Sequence, residues 1–95
     1  MRVVWTRVAL VHLDEIQDYI ALDSPMAAYN VLLDLTEGTT RLLSTNPMAG
    51  RLGRARGTRE LVFADLPYIV AYRVTDQVEI LAVIHTARQW PLSFD

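Results

Sequence analysis

The chain has 95 residues, 52% of them hydrophobic, and a formal net charge of −2. That length bounds it to one domain with a modest core, and that charge argues against a generic nucleic-acid binder. With no cysteine there is no disulfide framework and no thiolate chemistry, which fits a reducing cytoplasm.

The apolar fraction is high for so short a chain, and the excess is read as surface that a partner covers. Met1-Arg2-Val3-Val4-Trp5-Thr6-Arg7 lacks the long apolar run of a signal peptide, and no stretch approaches the ~20 apolar residues that span a bilayer. No membrane association is expected. All nine basic residues are arginine, which a GC-rich coding bias alone would explain. The charges are segregated, however. Asp14, Glu15, Asp18, Asp23, Asp34 and Glu37 fall in the first part, and Arg51, Arg54, Arg56 and Arg59 in one short window. A near-neutral total therefore hides an acidic region and a basic loop.

Arg2-Val3-Val4-Trp5 reads as a short strand, after which Thr6 offers a hydroxyl N-cap. Leu10, Leu13, Ile16 and Ile20 recur at helical spacing, with Ala9 and Val8 widening the stripe. Asp14, Glu15 and Asp18 lie off it and should face water. Ser24-Pro25 restarts the chain as a second helix, with serine as cap and proline in the first turn, where its missing N–H costs nothing. This helix is predicted from about Pro25 to Leu43, burying Ala28, Val31, Leu32, Leu35, Leu42 and Leu43. Gly38 inside it costs ~1 kcal/mol relative to alanine, so a bend or loosening is expected there, and Asn46-Pro47 ends it. So short a link makes the two helices an antiparallel hairpin.

Met48 to Glu60 reads as a loop in which three glycines let the backbone turn and approach another surface. Leu61-Val62-Phe63 resumes a strand, and Ala64-Asp65-Leu66-Pro67 turns into a β-hairpin of Leu66–Val74 and Val78–His85. Both runs are rich in Val, Ile and Tyr without clean alternation, as in strands covered on both faces. With Thr75-Asp76-Gln77 as the loop, Arg73 falls opposite Glu79; a two-residue loop would put Ile80 there instead. One face then sets Tyr68, Val70, Tyr72 and Val74 against Ile84, Ala82, Ile80 and Val78. The expected fold is α+β: an N-terminal strand and a two-helix hairpin packed on a small, mostly antiparallel sheet.

In order and spacing the chain resembles the RelE/ParE superfamily of bacterial type II toxins, also called plasmid-stabilisation proteins. The resemblance covers nearly the whole chain. It rests on Ser24-Pro25-x-Ala27-Ala28, Asn46-Pro47-x-x-Gly50-Arg51, Gly53-Arg54 and Gly57-Thr58-Arg59-Glu60-Leu61. Pro67-Tyr68-Ile69-Val70-x-Tyr72-Arg73-Val74, Val78-x-Ile80-Leu81-x-Val83-x-His85 and Ala87-Arg88 complete it. It implies a cognate antitoxin, usually encoded beside the toxin, that wraps its surface in a hetero-oligomer. It also implies one of two targets. RelE-like members cleave mRNA in the ribosomal A site, whereas ParE-like members bind DNA gyrase and stall it on cleaved DNA without being nucleases.

Metal-free ribonuclease chemistry needs a base for the 2′-OH, an acid for the leaving 5′-oxygen and positive charge on the phosphate. His85 is the candidate acid or base; otherwise it caps its strand. His12, beside the stripe of the first helix, is read as structural. Arg59, Arg73 and Arg88 are candidate phosphate ligands, since the guanidinium fork matches two phosphate oxygens. Arg88 is the best of them, because it follows the last strand, where RelE-like enzymes carry a catalytic arginine. The alternatives are an Arg73–Glu79 pair, and an Arg59 and Glu60 that are simply exposed and alternate across their strand. Arg51, Arg54 and Arg56 would bind nucleic-acid phosphates, or acidic residues of an antitoxin or of gyrase, unless the loop is merely solvated. Trp90 could stack on a base in place of the missing C-terminal tyrosine.

Ile69 occupies a point where RelE-like nucleases usually place arginine, and the lysines they use as acid and base have no counterpart. These departures tip the reading toward a ParE-like gyrase inhibitor over an mRNA endonuclease. A further alternative is a degenerate toxin that only binds its antitoxin and contributes to operon autoregulation. His12 and His85 are too isolated to argue for a metal, and no cofactor is expected.

Overall fold

A computed structural model describes residues 1–88. In chain order the elements are β1 (Val3–Trp5), α1 (Arg7–Ala21), α2 (Pro25–Thr45), β2 (Arg51–Leu52), β3 (Arg59–Val62), β4 (Tyr68–Val74) and β5 (Val78–His85). The two helices pack on each other and α1 packs on β5, which is the expected α+β arrangement. The strands form one five-stranded sheet in the order β1-β5-β4-β3-β2. All pairings are antiparallel except β1 with β5, which is parallel.

Both helices start where the sequence places them. The Thr6 hydroxyl accepts from the Ala9 N–H at 3.3 Å, and the Ser24 hydroxyl from the Ala27 N–H at 3.1 Å, so each satisfies one orphan donor of a first turn. The apolar stripes are narrower than expected. Ala9 and Leu13 are buried in α1, but Val8 and Leu10 are exposed, as is Leu42 in α2. Each helix buries one side against the sheet and its partner, and these three side chains lie beyond that contact.

α2 runs unbroken through Gly38, against the expected loosening. A Cβ on Gly38 would stand 3.3 Å from the Phe63 ring, so the glycine lets the helix close on the chain leaving β3. The predicted loop also contains a strand. Arg51 and Leu52 pair with Glu60 and Arg59, and β3 begins at Arg59 rather than Leu61. Tyr72 holds this addition to the core: its hydroxyl accepts from the Gly50 N–H and donates to the Pro47 carbonyl, each at 2.8 Å.

Arg73 does pair with Glu79 and Val74 with Val78, as a three-residue loop requires. The register then shifts. A bulge places Leu81 opposite no residue of β4, so Ala71 faces Ala82, Val70 faces Val83 and Tyr68 faces His85. Ala82 and Ile84 therefore leave the face assigned to them above. They join Ala71 in a small buried cluster on the far side of the sheet, and Ile69 pairs with Ile84. The main core takes Val83 instead, with Val70, Tyr72, Ile80 and Leu35. An inserted residue reverses which side chains face which way.

Candidate functional site

The bulge lies where β1 stops. β1 pairs only with Val78–Ile80, and the Thr6 N–H and hydroxyl both donate to the Ile80 carbonyl, at 3.1 and 2.7 Å. Beyond that point, among the described residues, Leu81–His85 have no strand on that side. The Val83 N–H donates instead to Nδ1 of His12, at 3.1 Å. An imidazole from α1 thus satisfies a backbone donor that a longer strand would have taken.

This junction opens into a cavity of about 450 Å³ whose walls include His12, Glu15, Tyr19, Tyr68, His85 and Arg88. α1 supplies His12, Glu15, Ile16 and Tyr19 from one face, at i, i+3, i+4 and i+7. Tyr68 begins β4, and its ring meets that of His85 edge-on at 5.4 Å and 89°. The chain leaving β5 turns sharply there. The Ala87 N–H donates to Nδ1 of His85 at 3.1 Å, the Arg88 N–H to the His85 carbonyl at 3.0 Å, and the Thr86 N–H to the Pro67 carbonyl at 2.9 Å.

Burial pushes the His12 pKa down, the Glu15 carboxylate pulls it back up, and Arg88 lowers it further. The ring is therefore neutral at pH 7. With Nδ1 accepting from Val83, Nε2 carries the proton. His85 has the same constraint at Nδ1, so in its neutral form it too presents an Nε2–H. Burial raises the Tyr68 pKa, with Tyr19 adding to the effect, so its phenol stays protonated and can donate. The site thus carries several donors, and the carboxylate among its described walls is that of Glu15, an exposed residue on α1.

Of the residues singled out from sequence, the structure brings His85 and Arg88 into this cavity and holds the others elsewhere. Arg59 sits on the helix-facing side of β3, opposite Tyr72, and donates to the Gly50 carbonyl at 2.8 Å. Arg73 lies toward the loop end of the hairpin, with both Nε and a terminal nitrogen 3.0 Å from a Glu79 carboxylate oxygen. Ile69 is buried.

In the basic loop, Glu60 is not the exposed partner of Arg59 but one of the most buried side chains. Its carboxylate accepts from Arg51 at 3.0 and 3.2 Å and from the Arg54 N–H at 2.8 Å, with the Arg54 guanidinium at 3.8 Å. Two of the three loop arginines are thereby engaged within the chain, and Arg56 is exposed. Trp90 lies outside the described residues. Among the described residues no cluster of His, Asp and Glu is arranged to hold a metal ion, and no helix is long and apolar enough to cross a membrane.

Reasoning from sequence read His12 as structural, which its bond to the Val83 N–H agrees with, and did not bring it, Glu15, Tyr19 or Tyr68 to a shared cavity. A signal was available for the first three: a polar and aromatic stripe on α1 running beside the apolar one. It gained meaning only when the bulge turned Val83 toward it.

Comparison with known proteins agrees with this architecture. Residues 3–90 match the family described as the ParE toxin of the type II toxin–antitoxin system parDE. The Y4kP protein of Sinorhizobium fredii is 48% identical over 90 residues, 95% of this chain and 93% of that one. Toxin RelE2 of Caulobacter vibrioides is 42% identical over 88 residues, 92% of this chain and 97% of its own. A solved structure of the chromosomal ParDE toxin–antitoxin system from P. aeruginosa superposes with a TM-score of 0.80 at 32% identity. That match covers 90% of this chain and 95% of the other. The chain belongs to the ParE toxin family of type II toxin–antitoxin systems, within the wider RelE/ParE group.

Proposed function

We propose that this toxin arrests growth by binding DNA gyrase, and that a cognate antitoxin neutralises it in the cytoplasm by forming a hetero-oligomer with it. The observation that favours binding over mRNA cleavage is the condition of the two imidazoles. A base for the 2′-OH must turn a lone pair toward the substrate. Here both Nδ1 lone pairs accept backbone N–H groups, and both Nε2 atoms carry hydrogen in the neutral rings. Arg59 and Arg73, which a phosphorane would need nearby, are bonded to Gly50 and Glu79 away from the cavity.

The test is expression without antitoxin, followed by two assays on the same cells and protein. Induction of the DNA-damage response and trapping of cleaved plasmid with purified gyrase is the expected result. Primer extension showing mRNA cut in the A site, with supercoiling unaffected, refutes it.

One observation favours a second reading. Glu15, His85 and Arg88 line the same cavity, and they could serve an mRNA endonuclease as base, acid and phosphate ligand. Under that reading Glu15→Gln abolishes both toxicity and A-site cleavage. Under the gyrase reading it leaves mRNA intact in either form.

A further inference from the structure

The cavity beside α1 combines three features that no single element explains. It offers several donors: the backbone bonds at the Nδ1 atoms of His12 and His85 leave each neutral ring an Nε2–H, and Arg88 lines the same cavity. Its charge is balanced, because Glu15 offsets Arg88. Its mouth is apolar, for Tyr19 is 74% exposed there with Ile16 and Tyr68 beside it. A large aromatic left in water beside donor groups is the usual composition of a recognition surface.

These features select among anions. A guanidinium fork and two N–H donors match the oxygens of a carboxylate. A phosphate dianion would bring a second negative charge toward Glu15 and gain less. The aromatic mouth accommodates the apolar stem of the carboxylate and the residue that follows it.

We infer that this cavity seats the carboxylate of an acidic side chain carried by the antitoxin, held by His12, His85 and Arg88 with Tyr19 against its stem. The inference rests on neutralisation by a protein antitoxin and adds to it a location and a chemistry. It also gives the second imidazole a role: His12 holds the end of β5 through Val83 and presents its own N–H to the ligand.

The closing experiment measures binding of the purified antitoxin to the wild-type toxin and to Arg88→Ala, His85→Ala and Arg41→Ala variants. Arg88 and His85 are exposed, so these changes leave the core alone. Arg41, exposed on α2, is the charge control. Affinity is expected to fall by about tenfold or more for the first two, the scale of a charge-assisted hydrogen bond. The control should stay within about twofold. An acid-to-amide scan of the antitoxin should find one position whose loss adds nothing in the Arg88→Ala background.

Undiminished affinity in both Arg88→Ala and His85→Ala overturns the inference while leaving neutralisation intact. Failure of the wild-type protein to bind the antitoxin overturns both. A parallel titration with acetate and with inorganic phosphate follows the two histidine rings by NMR. Acetate should perturb them more. Perturbation by phosphate alone would mean a nucleic-acid surface and would overturn the inference as well.

Discussion

Replacing Tyr72 by phenylalanine removes a single oxygen and tests how the basic loop is attached to the core. Tyr72 is fully buried. Its hydroxyl donates to the Pro47 carbonyl and accepts from the Gly50 N–H, both at 2.8 Å. Each bond contributes about 0.5–1.5 kcal/mol net, and a buried donor left without a partner costs about 1–3 kcal/mol. Gly50 is buried, whereas Pro47 is only partly so, and its carbonyl can turn to water. The loss should therefore be about 2–3 kcal/mol, dominated by the stranded Gly50 N–H.

For a domain of this length that corresponds to a fall in Tm of about 8–20 °C. Thermal and urea unfolding followed by circular dichroism give the number, and hydrogen exchange at the Gly50 amide gives the location. A loss below about 0.5 kcal/mol, the range of an ordinary surface substitution, refutes the reasoning. Gly50→Ala supplies a second arm. The new Cβ would stand 2.6 Å from the Tyr72 hydroxyl and 2.8 Å from the Glu60 carbonyl oxygen. Phenylalanine removes the hydroxyl contact but leaves the ring carbon Cε1 at 2.7 Å and the Glu60 carbonyl; the two singles share the lost Gly50–Tyr72 bond, so the double variant should lose less than their sum.

Three further outcomes follow from the same packing. His12 has a lowered pKa, so below its ordinary value of 6.5 the unfolded chain binds more protons than the folded one. Its contribution is complete above that pH and is lost as pH falls through the folded value; urea midpoints should show this descent, and His12→Gln should flatten it. Thr39 is buried in α2 with no partner for its hydroxyl among the described residues, so Thr39→Val should raise stability by about 1 kcal/mol in the same measurement. Glu60→Ala should cost about 2–3 kcal/mol. That is less than the ~3–5 kcal/mol for breaking a fully buried pair, because the Arg51 and Arg54 side chains are 55% and 50% exposed. A high-salt titration should leave most of the Glu60 effect in place, since its bond to the Arg54 N–H is partly buried.

Much of the architecture was legible because it rests on near-neighbour chemistry. Thr6 and Ser24-Pro25 mark helix starts through their own hydroxyls and ring, while Thr75-Asp76-Gln77 allowed two hairpin registers, of which the structure takes the one that pairs Arg73 with Glu79. Gly38 misled because its helical cost is local, whereas its use is a contact with Phe63. Glu60 misled for the same reason. A carboxylate next to an arginine reads as surface until β2 and the loop bring two other arginines over it.

The site was harder to read. His85 ends β5 and Arg88 follows it, so both stood out, but His12 reaches Val83 across 71 residues, and no periodicity reports such a meeting. Order and spacing of short motifs sufficed for the two capped helices, the β-hairpin and the family, because each depends on groups a few residues apart. The Leu81 bulge, the burial of Glu60 and the cavity at β5 were decided by packing. Each needs a strand edge, a helix face and a loop to arrive together, and the free energy that selects them belongs to contacts between segments. By alternation alone the hairpin would seal one face with Ala82 and Ile84; it seals it with Val83 instead, and the residue that changes this is a leucine like any other in the strand.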